Sequence, residues 1–202
     1  MILRPSPTIV RGFLKIYDPA SGEVFVEKDN AIHYENMSIA MANSLTNNNT
    51  GWIYSMAFGN GGSAVDPTGV ITYLPPNTTG QNADLYNARY SKIVDDTSVD
   101  NTDPNRNNIT INHVPGTVYT DIKITCLLDY GEPAGQQAFD NSTNFNGEYV
   151  FDELGLKCWN GSATDLRLIT HVIFHPVQKS LNRQIQIDYT LRIQTLTNLS
   201  AA

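Results

Sequence analysis

The sequence is short of charged residues. Asp, Glu, Lys and Arg make up 16% of its 202 residues, against about a quarter in an average globular chain. Asn, Thr, Ser and Gln supply polarity instead, and such uncharged surfaces suit contact with other proteins or sugars. The 20 acidic residues outnumber the 13 basic ones, for a formal net charge of −7. Because phosphate backbones repel a negative molecule, we expect no nucleic-acid partner.

Segments for export and membrane insertion are also missing. The opening MILRPSPTIV has a three-residue apolar run before Pro5 and Pro7, which is too short for the apolar part of a signal peptide. No stretch of the sequence is long and apolar enough to cross a bilayer. We therefore expect neither secretion by the ordinary route nor a membrane partner.

Cysteine is scarce. Cys126 and Cys158 lie in apolar, strand-like surroundings. A chain without an export signal is expected to fold in a reducing compartment, where disulfides are rare. Two buried free thiols are the favoured interpretation, and a disulfide is the alternative because the sequence does not give their separation.

Motifs for catalysis, metal binding and cofactor binding are absent from the sequence. It therefore favours a structural or binding component over an enzyme, and it predicts no catalytic, metal-binding or cofactor-binding residue. His171 and His175 have the spacing of a helical zinc pair, but on a strand they would lie about 13 Å apart, too far for one ion. His33 and His113 have no nearby nucleophile and are interpreted as structural.

Three further patterns invite a functional interpretation. Residues 58–62 (FGNGG) lack the Lys-Ser/Thr pair of a phosphate-binding loop and are better explained as a sharp turn after a strand. An acidic run lacks the ligand spacing of a calcium loop and is interpreted as a solvated loop; it comprises Asp95, Asp96, Asp100 and Asp103. A glycosidase needs two carboxylates that meet across a sugar bond, and nothing in the sequence indicates this for Glu132, Asp152 and Glu153.

What the sequence does contain is strand-like alternation. The clearest case is residues 184–194, where polar residues alternate with Ile185, Ile187, Tyr189, Leu191 and Ile193. This period of two indicates a strand with one face on a core. A β-hairpin is predicted for residues 12–17 and 23–27 around the turn DPASG. Further strands are predicted at 52–58, 70–74, 85–94, 109–114, 118–128, 148–159 and 166–174.

Several details of these elements are also predicted. A short connection joins 166–174 to the last strand, so the two should be antiparallel neighbours. The strand at 148–159 should be interrupted at Gly155 and close at the turn dipeptide Asn160-Gly161. One short helix is expected near residues 31–45, capped by Asp29 or Asn30, with a buried apolar stripe of Tyr34, Met37, Met41 and Leu45.

Together these patterns predict a mainly β protein, an antiparallel β-sandwich of jelly-roll-like type with one short α-helix. The expected organisation is a single domain over residues 9–202, preceded by an extended N-terminal arm over residues 1–8. The arm begins with the apolar triplet MIL, and two prolines stiffen it. We expect it to dock on its own or a neighbouring subunit, so that a truncated chain would fold but assemble poorly.

Some segments resemble virion structural proteins of tailed bacteriophages. Residues 29–36 (DNAIHYEN), the helix and residues 56–62 (MAFGNGG) resemble the front of such proteins. Residues 151–156 (FDELGL), 171–179 (HVIFHPVQK) and the closing strand are similar to their end. The resemblance covers both halves of the chain and leaves the middle unmatched. It implies a non-enzymatic β-sandwich-like building block, present in many copies in a virion and folded in the host cytoplasm before assembly.

The implied position is the neck, the tail or the fibre-attachment region, with a capsid decoration or cement protein as the alternative. Partners would be other copies of the chain and other virion proteins of the neck, tail, fibre or capsid. An alternative of another class is a carbohydrate-binding adhesin domain, in which Trp52, Trp159 and tyrosines would stack on sugars. A glycan hydrolase is the remaining alternative.

Overall fold

The structure is a computed structural model that describes residues 8–135 and 149–195. These ranges contain one helix, α1 (Tyr34–Leu45), and thirteen strands. The strands are β1 (Thr8–Tyr17), β2 (Val24–Asp29), β3 (Ala31–Ile32), β4 (Ile53–Gly59), β5 (Ser63–Val65), β6 (Ile71–Tyr73), β7 (Ala88–Ile93), β8 (Asn108–Asn112), β9 (Tyr119–Leu128), β10 (Val150–Ser162), β11 (Asp165–Leu168), β12 (Thr170–Gln178) and β13 (Ile185–Thr195).

Two antiparallel sheets form the body of the protein. The first has the order β2-β1-β13-β9-β8, and the second has the order β3-β12-β10-β4-β7 with β11 added beside β10. Strands β5 and β6 make a separate hairpin. The predicted mainly β, antiparallel sandwich is confirmed, while jelly-roll connectivity stays a prediction. Thr8, which the sequence placed in the arm, is the first residue of β1, and the rest of the arm lies outside the described residues.

Apolar side chains from both sheets share one core. The alternation predicted for the last strand is confirmed, because β13 buries Ile185, Ile187, Tyr189 and Leu191 against it. Each large apolar side chain removed from water stabilises the fold by about 1.5–3 kcal/mol. The second sheet contributes Leu154, Leu156 and Phe58 to the same core.

Both cysteines are buried in this core as free thiols, as the sequence favoured. Cys126 lies on β9 of the first sheet and Cys158 on β10 of the second. Burial raises the pKa of both thiols, because a thiolate loses its hydration there. They therefore behave as small apolar side chains that help to fill the space between the sheets.

The predicted pairing of the last two long strands is wrong. β12 lies between β3 and β10 in the second sheet, and β13 lies between β1 and β9 in the first. The connection over residues 179–184 therefore passes from one sheet to the other. Packed sheets are about 10 Å apart, so a connection short enough for a hairpin is also long enough to cross the sandwich.

The predicted helix is confirmed, but its start and its cap differ from the expectation. Residues 31–32 form β3 and pair with β12, so the helix begins only at Tyr34. The cap is His33, whose Nδ1 accepts a hydrogen bond from the N–H of Asn36. Asp29 and Asn30 lie too far upstream for this role.

The predicted buried stripe of the helix is only partly correct. Tyr34 and Leu45 are exposed, whereas the buried residues of α1 are Asn36, Met37 and Ala40. Within residues 8–135 and 149–195, no helix has the length and apolar character needed to cross a bilayer.

Gly155 lies inside β10, which continues to Ser162, so the expected interruption and the expected end at Asn160-Gly161 are both wrong. A Cβ atom on Gly155 would lie 2.7 Å from the carbonyl oxygen of Thr170 and 2.4 Å from Cδ1 of Leu168. The glycine therefore allows a close approach of neighbouring strands rather than a break in the strand.

We expect Gly155→Ala to lower the free energy of unfolding by about 2 kcal/mol, because the new methyl group overlaps a backbone atom and an interior side chain. Urea unfolding followed by circular dichroism measures the change. The matched control is Gly131→Ala, where an added Cβ meets no atom within 4 Å and the change should stay within about 0.5 kcal/mol. Equal stability of the two variants would contradict this explanation of Gly155.

Candidate functional site

Glu153 lies at the centre of a buried polar cluster on the second sheet, and its side chain is 0% exposed. Its Oε1 accepts hydrogen bonds from the N–H groups of Gly61 at 3.0 Å and Asn87 at 2.8 Å. Its Oε2 accepts from the N–H of Tyr86 at 2.9 Å and lies 3.0 Å from Nε2 of His171. One carboxylate thus joins β10 to β12, to the loop after β4 and to the segment before β7.

The protonation of this cluster follows from its geometry. Nδ1 of His171 accepts a hydrogen bond from the N–H of Asn77 at 2.7 Å, so Nε2 carries the proton and donates it toward Glu153. Burial by itself raises the pKa of Glu153. The hydrogen bonds from His171 and the three backbone N–H groups outweigh burial, and the pKa lies below its usual value. Glu153 is therefore the charged member of the pair.

Asp152 binds the next residues of the loop that follows β4. Its Oδ1 accepts from the N–H of Gly62 at 2.9 Å, and its Oδ2 accepts from the N–H of Ser63 at 2.8 Å and from the Ser63 hydroxyl. The pairing of β10 with β12 shifts its register next to this point, and the two consecutive acids both bind the glycine loop. A Cβ atom on Gly61 would lie 2.8 Å from the Asn87 nitrogen, which explains the need for glycine there.

The three acids considered for a glycosidase site do not form one. Asp152 and Glu153 direct their oxygens to N–H groups of their own chain. Glu132 instead forms an ion pair with Lys92. The Asp152–Glu153 cluster links loops to strands through hydrogen bonds.

The interpretation of the acidic run as a solvated loop is wrong for two of its residues. Asp95 is buried and accepts hydrogen bonds from Nε1 of Trp52 at 3.0 Å and from the Thr97 hydroxyl at 2.7 Å. Asp100 accepts from the Tyr54 hydroxyl at 3.3 Å. These carboxylates hold the loop against the sheet.

The histidines take structural contacts as well. His171 belongs to the Glu153 cluster, whereas His175 contacts the hydroxyl of Tyr73 at 3.1 Å. His113 contacts the carbonyl oxygen of Tyr119 at 3.1 Å. In the part of the chain that the structure describes, no three His, Cys, Asp or Glu residues are grouped to hold a metal ion.

Replacing Glu153 by glutamine keeps the size of the side chain but removes its charge and turns an NH₂ group toward N–H donors. We expect Glu153→Gln to lower the free energy of unfolding at pH 7 by about 3 kcal/mol, because hydrogen bonds to charged groups contribute about 1.5–3 kcal/mol. Urea unfolding measures it. The matched control is Glu27→Gln on β2, which is exposed and should change stability by less than about 0.5 kcal/mol.

The same pair of proteins gives a pH test. Folding lowers the pKa of Glu153, so its stabilisation is present above the usual pKa of 4.5 and is lost as the pH falls through the lower folded-state pKa. The stability difference between the wild type and Glu153→Gln should be constant from about pH 6 to 8 and shrink below about pH 4. A difference that stays the same at every pH would show that the charge is not responsible.

The second feature is an apolar groove of about 660 Å³ between α1 and one end of the first sheet. Leu45 on the helix and Ile111 on β8 are 85% and 76% exposed at its walls. Strands β1, β9 and β13 also contribute apolar side chains. Among the lining residues are Val10, Met37, Met41, Ile122, Leu191 and Ile193.

Trp52 forms another part of the groove wall. Its ring stacks on Trp159 with centroids 5.8 Å apart and an interplanar angle of 14°. The hydrogen bond to Asp95 fixes the indole, and Trp52 stays 37% exposed. A rigid, partly exposed aromatic surface therefore borders the groove.

The groove is not predicted by the sequence. Met37 is buried in the core and Met41 packs against it, as expected, but the helix end at Leu45 is left uncovered. The available signal was the apolar Ile109 and Ile111 on a strand at the edge of the sheet.

No family model matches the sequence, and no curated protein or solved structure is significantly similar to it. The function is therefore argued from the residues of this chain: the groove, the exposed apolar side chains around it and the motifs that the fold brings together.

Proposed function

We propose that this chain is a non-enzymatic virion structural protein of a tailed bacteriophage, assembling in multiple copies at the neck, tail or fibre-attachment region. The open apolar groove is the observation that carries the proposal. Monomeric proteins rarely expose large continuous apolar surfaces, and such surfaces usually mark sites of association. Exposed Leu45 and Ile111 would lose contact with water when another subunit covers them.

The sheet edges support assembly as well. β2 and β8 are the outer strands of the first sheet, and β3 and β7 are the end strands of the second. An edge strand presents N–H and C=O groups that a neighbouring chain can pair with or cover. Repeated contacts of this kind are typical of symmetric assemblies.

The motifs behind the phage resemblance meet in space. Gly61 and Gly62 belong to the early MAFGNGG segment, and they are bound by Asp152 and Glu153 of the later FDELGL segment. His171, the first residue of the HVIFHPVQK segment, completes the cluster. Segments about 90 residues apart in the chain thus form one structural unit, which supports treating them as parts of a single architecture.

Two alternatives to this role are kept. Decoration of the capsid would use the same groove and sheet edges at a different position in the particle. Carbohydrate binding is a second candidate function, because the fixed and partly exposed ring of Trp52 beside the groove is suited to stacking on a sugar.

The proposal can be tested on phage particles purified from an infection in which this chain is produced. We expect peptides of the chain to remain with particles through a density gradient, in multiple copies per particle by quantitative mass spectrometry. An antibody against the chain should label the neck or tail in electron micrographs, whereas label over the head would indicate a decoration protein. A chain that stays in the lysate and leaves the particles unlabelled would contradict a virion role.

The carbohydrate alternative has a separate test. Micromolar binding of the purified protein on a glycan array, lost in Trp52→Ala and kept in Tyr34→Ala, would favour it. Tyr34 is a matched control because it is an exposed aromatic residue outside the groove lining.

A further inference from the structure

We propose that the groove binds the apolar triplet Met1-Ile2-Leu3 of a second copy of this chain. The inference rests on the proposed structural function and names the partner of the groove. Its occupant is a defined piece of the sequence, the seven residues that precede β1, and these are called the leading segment below.

The leading segment joins the fold beside the groove. Thr8, the first residue of β1, pairs with Thr195 at the end of β13. Two residues farther along β1, Val10 lines the groove, as does Ile193 opposite it. Seven residues at about 3.3 Å each span about 23 Å, which is enough to reach a neighbouring molecule.

The chemistry of the triplet matches the groove. Met, Ile and Leu side chains line its walls, and Met1, Ile2 and Leu3 are side chains of the same kind. The groove volume of about 660 Å³ is within the range of about 300–1,000 Å³ that binding pockets have. Arg4 gives the segment a positive charge, which favours its approach to a chain of net charge −7.

The prolines favour a second copy over the segment's own groove. Proline fixes φ, and the residue before it is disfavoured in the helical region, so residues 4–7 (RPSP) favour an extended path. Five residues on an extended path span about 16 Å. Returning to the groove beside Val10 would require a reversal within these four residues, whereas reaching a neighbour requires none.

Docking of this kind limits how copies can assemble. Each copy offers one leading segment and one groove, so copies can exchange segments reciprocally in a dimer or pass them on in a ring or a filament. The groove and the segment are separate parts of one chain, and each can be altered without changing the other. This separation allows a complementation experiment.

The experiment uses three variants of the full chain. The segment variant, Ile2→Ser with Leu3→Ser, replaces two apolar side chains of the triplet with polar ones. The groove variant, Leu45→Glu with Ile111→Glu, changes two side chains that are already exposed. The control variant is Val65→Glu with Val70→Glu near the β5–β6 hairpin, at 65% and 55% exposure and away from the groove. Circular dichroism confirms that each variant is folded.

Sedimentation velocity of the purified proteins gives the result. We expect concentration-dependent association of the wild type and of the control variant. The segment variant and the groove variant should each associate at least about 10-fold more weakly, because apolar burial contributes most of the binding. An equimolar mixture of these two should form a heterodimer, since one intact segment and one intact groove remain.

Other outcomes overturn the proposal. A wild type that stays monomeric at about millimolar concentration, or association unchanged in both variants, would exclude the contact. If the mixture of segment and groove variants does not associate, the occupant is not the triplet of a second copy. The same conclusion follows if removing residues 196–202 abolishes association while the segment variant associates normally. Because purified protein is used, failure here is distinct from absence of the chain from particles.

Discussion

A carboxylate removed from water stays charged only where donors replace the lost hydration. Glu153 is placed under this constraint by its position inside the second sheet, and four donors from three parts of the chain meet it. These donors bring the loop after β4 and the segment before β7 onto β10 and β12. The outer side of the sheet is thereby organised by hydrogen bonds, in contrast to the apolar packing between the sheets.

The groove shows the opposite arrangement, because its walls offer apolar surface and few polar groups. Apolar contacts have little directional preference. The occupant of the groove is therefore selected by its shape and by the sequence of apolar side chains along it. Rigid surroundings help this selection. Trp52 is held by Trp159 and by Asp95, and the helix wall is fixed at its start by the His33 cap. A preformed groove loses less conformational freedom when it binds than a flexible one does.

Features that depend on residues close together in the sequence could be predicted, whereas features that join distant parts of the chain could not. Period-two alternation in β13, the turn before β2 and the presence of α1 depend on local patterns, so they were predictable from a few residues. The separation of β12 from β13 into different sheets was not, because the same short connection serves a hairpin or a crossing. The Glu153 cluster joins residues such as Gly61 that lie 92 positions away, and the groove results from what the first sheet leaves uncovered. No local pattern encodes the cluster, and the only sequence signal of the groove was the apolar pair Ile109 and Ile111.

Cys126 and Cys158 lie between the sheets, and burial raises the pKa of both. Alkylating reagents react with accessible thiolates, so the folded protein offers them neither of its cysteines. A dye or gold cluster coupled through maleimide would then attach only at a cysteine placed deliberately on the surface. The interior of the sandwich thus makes the molecule well suited to site-specific tagging, and single positions could be followed by microscopy inside a much larger particle.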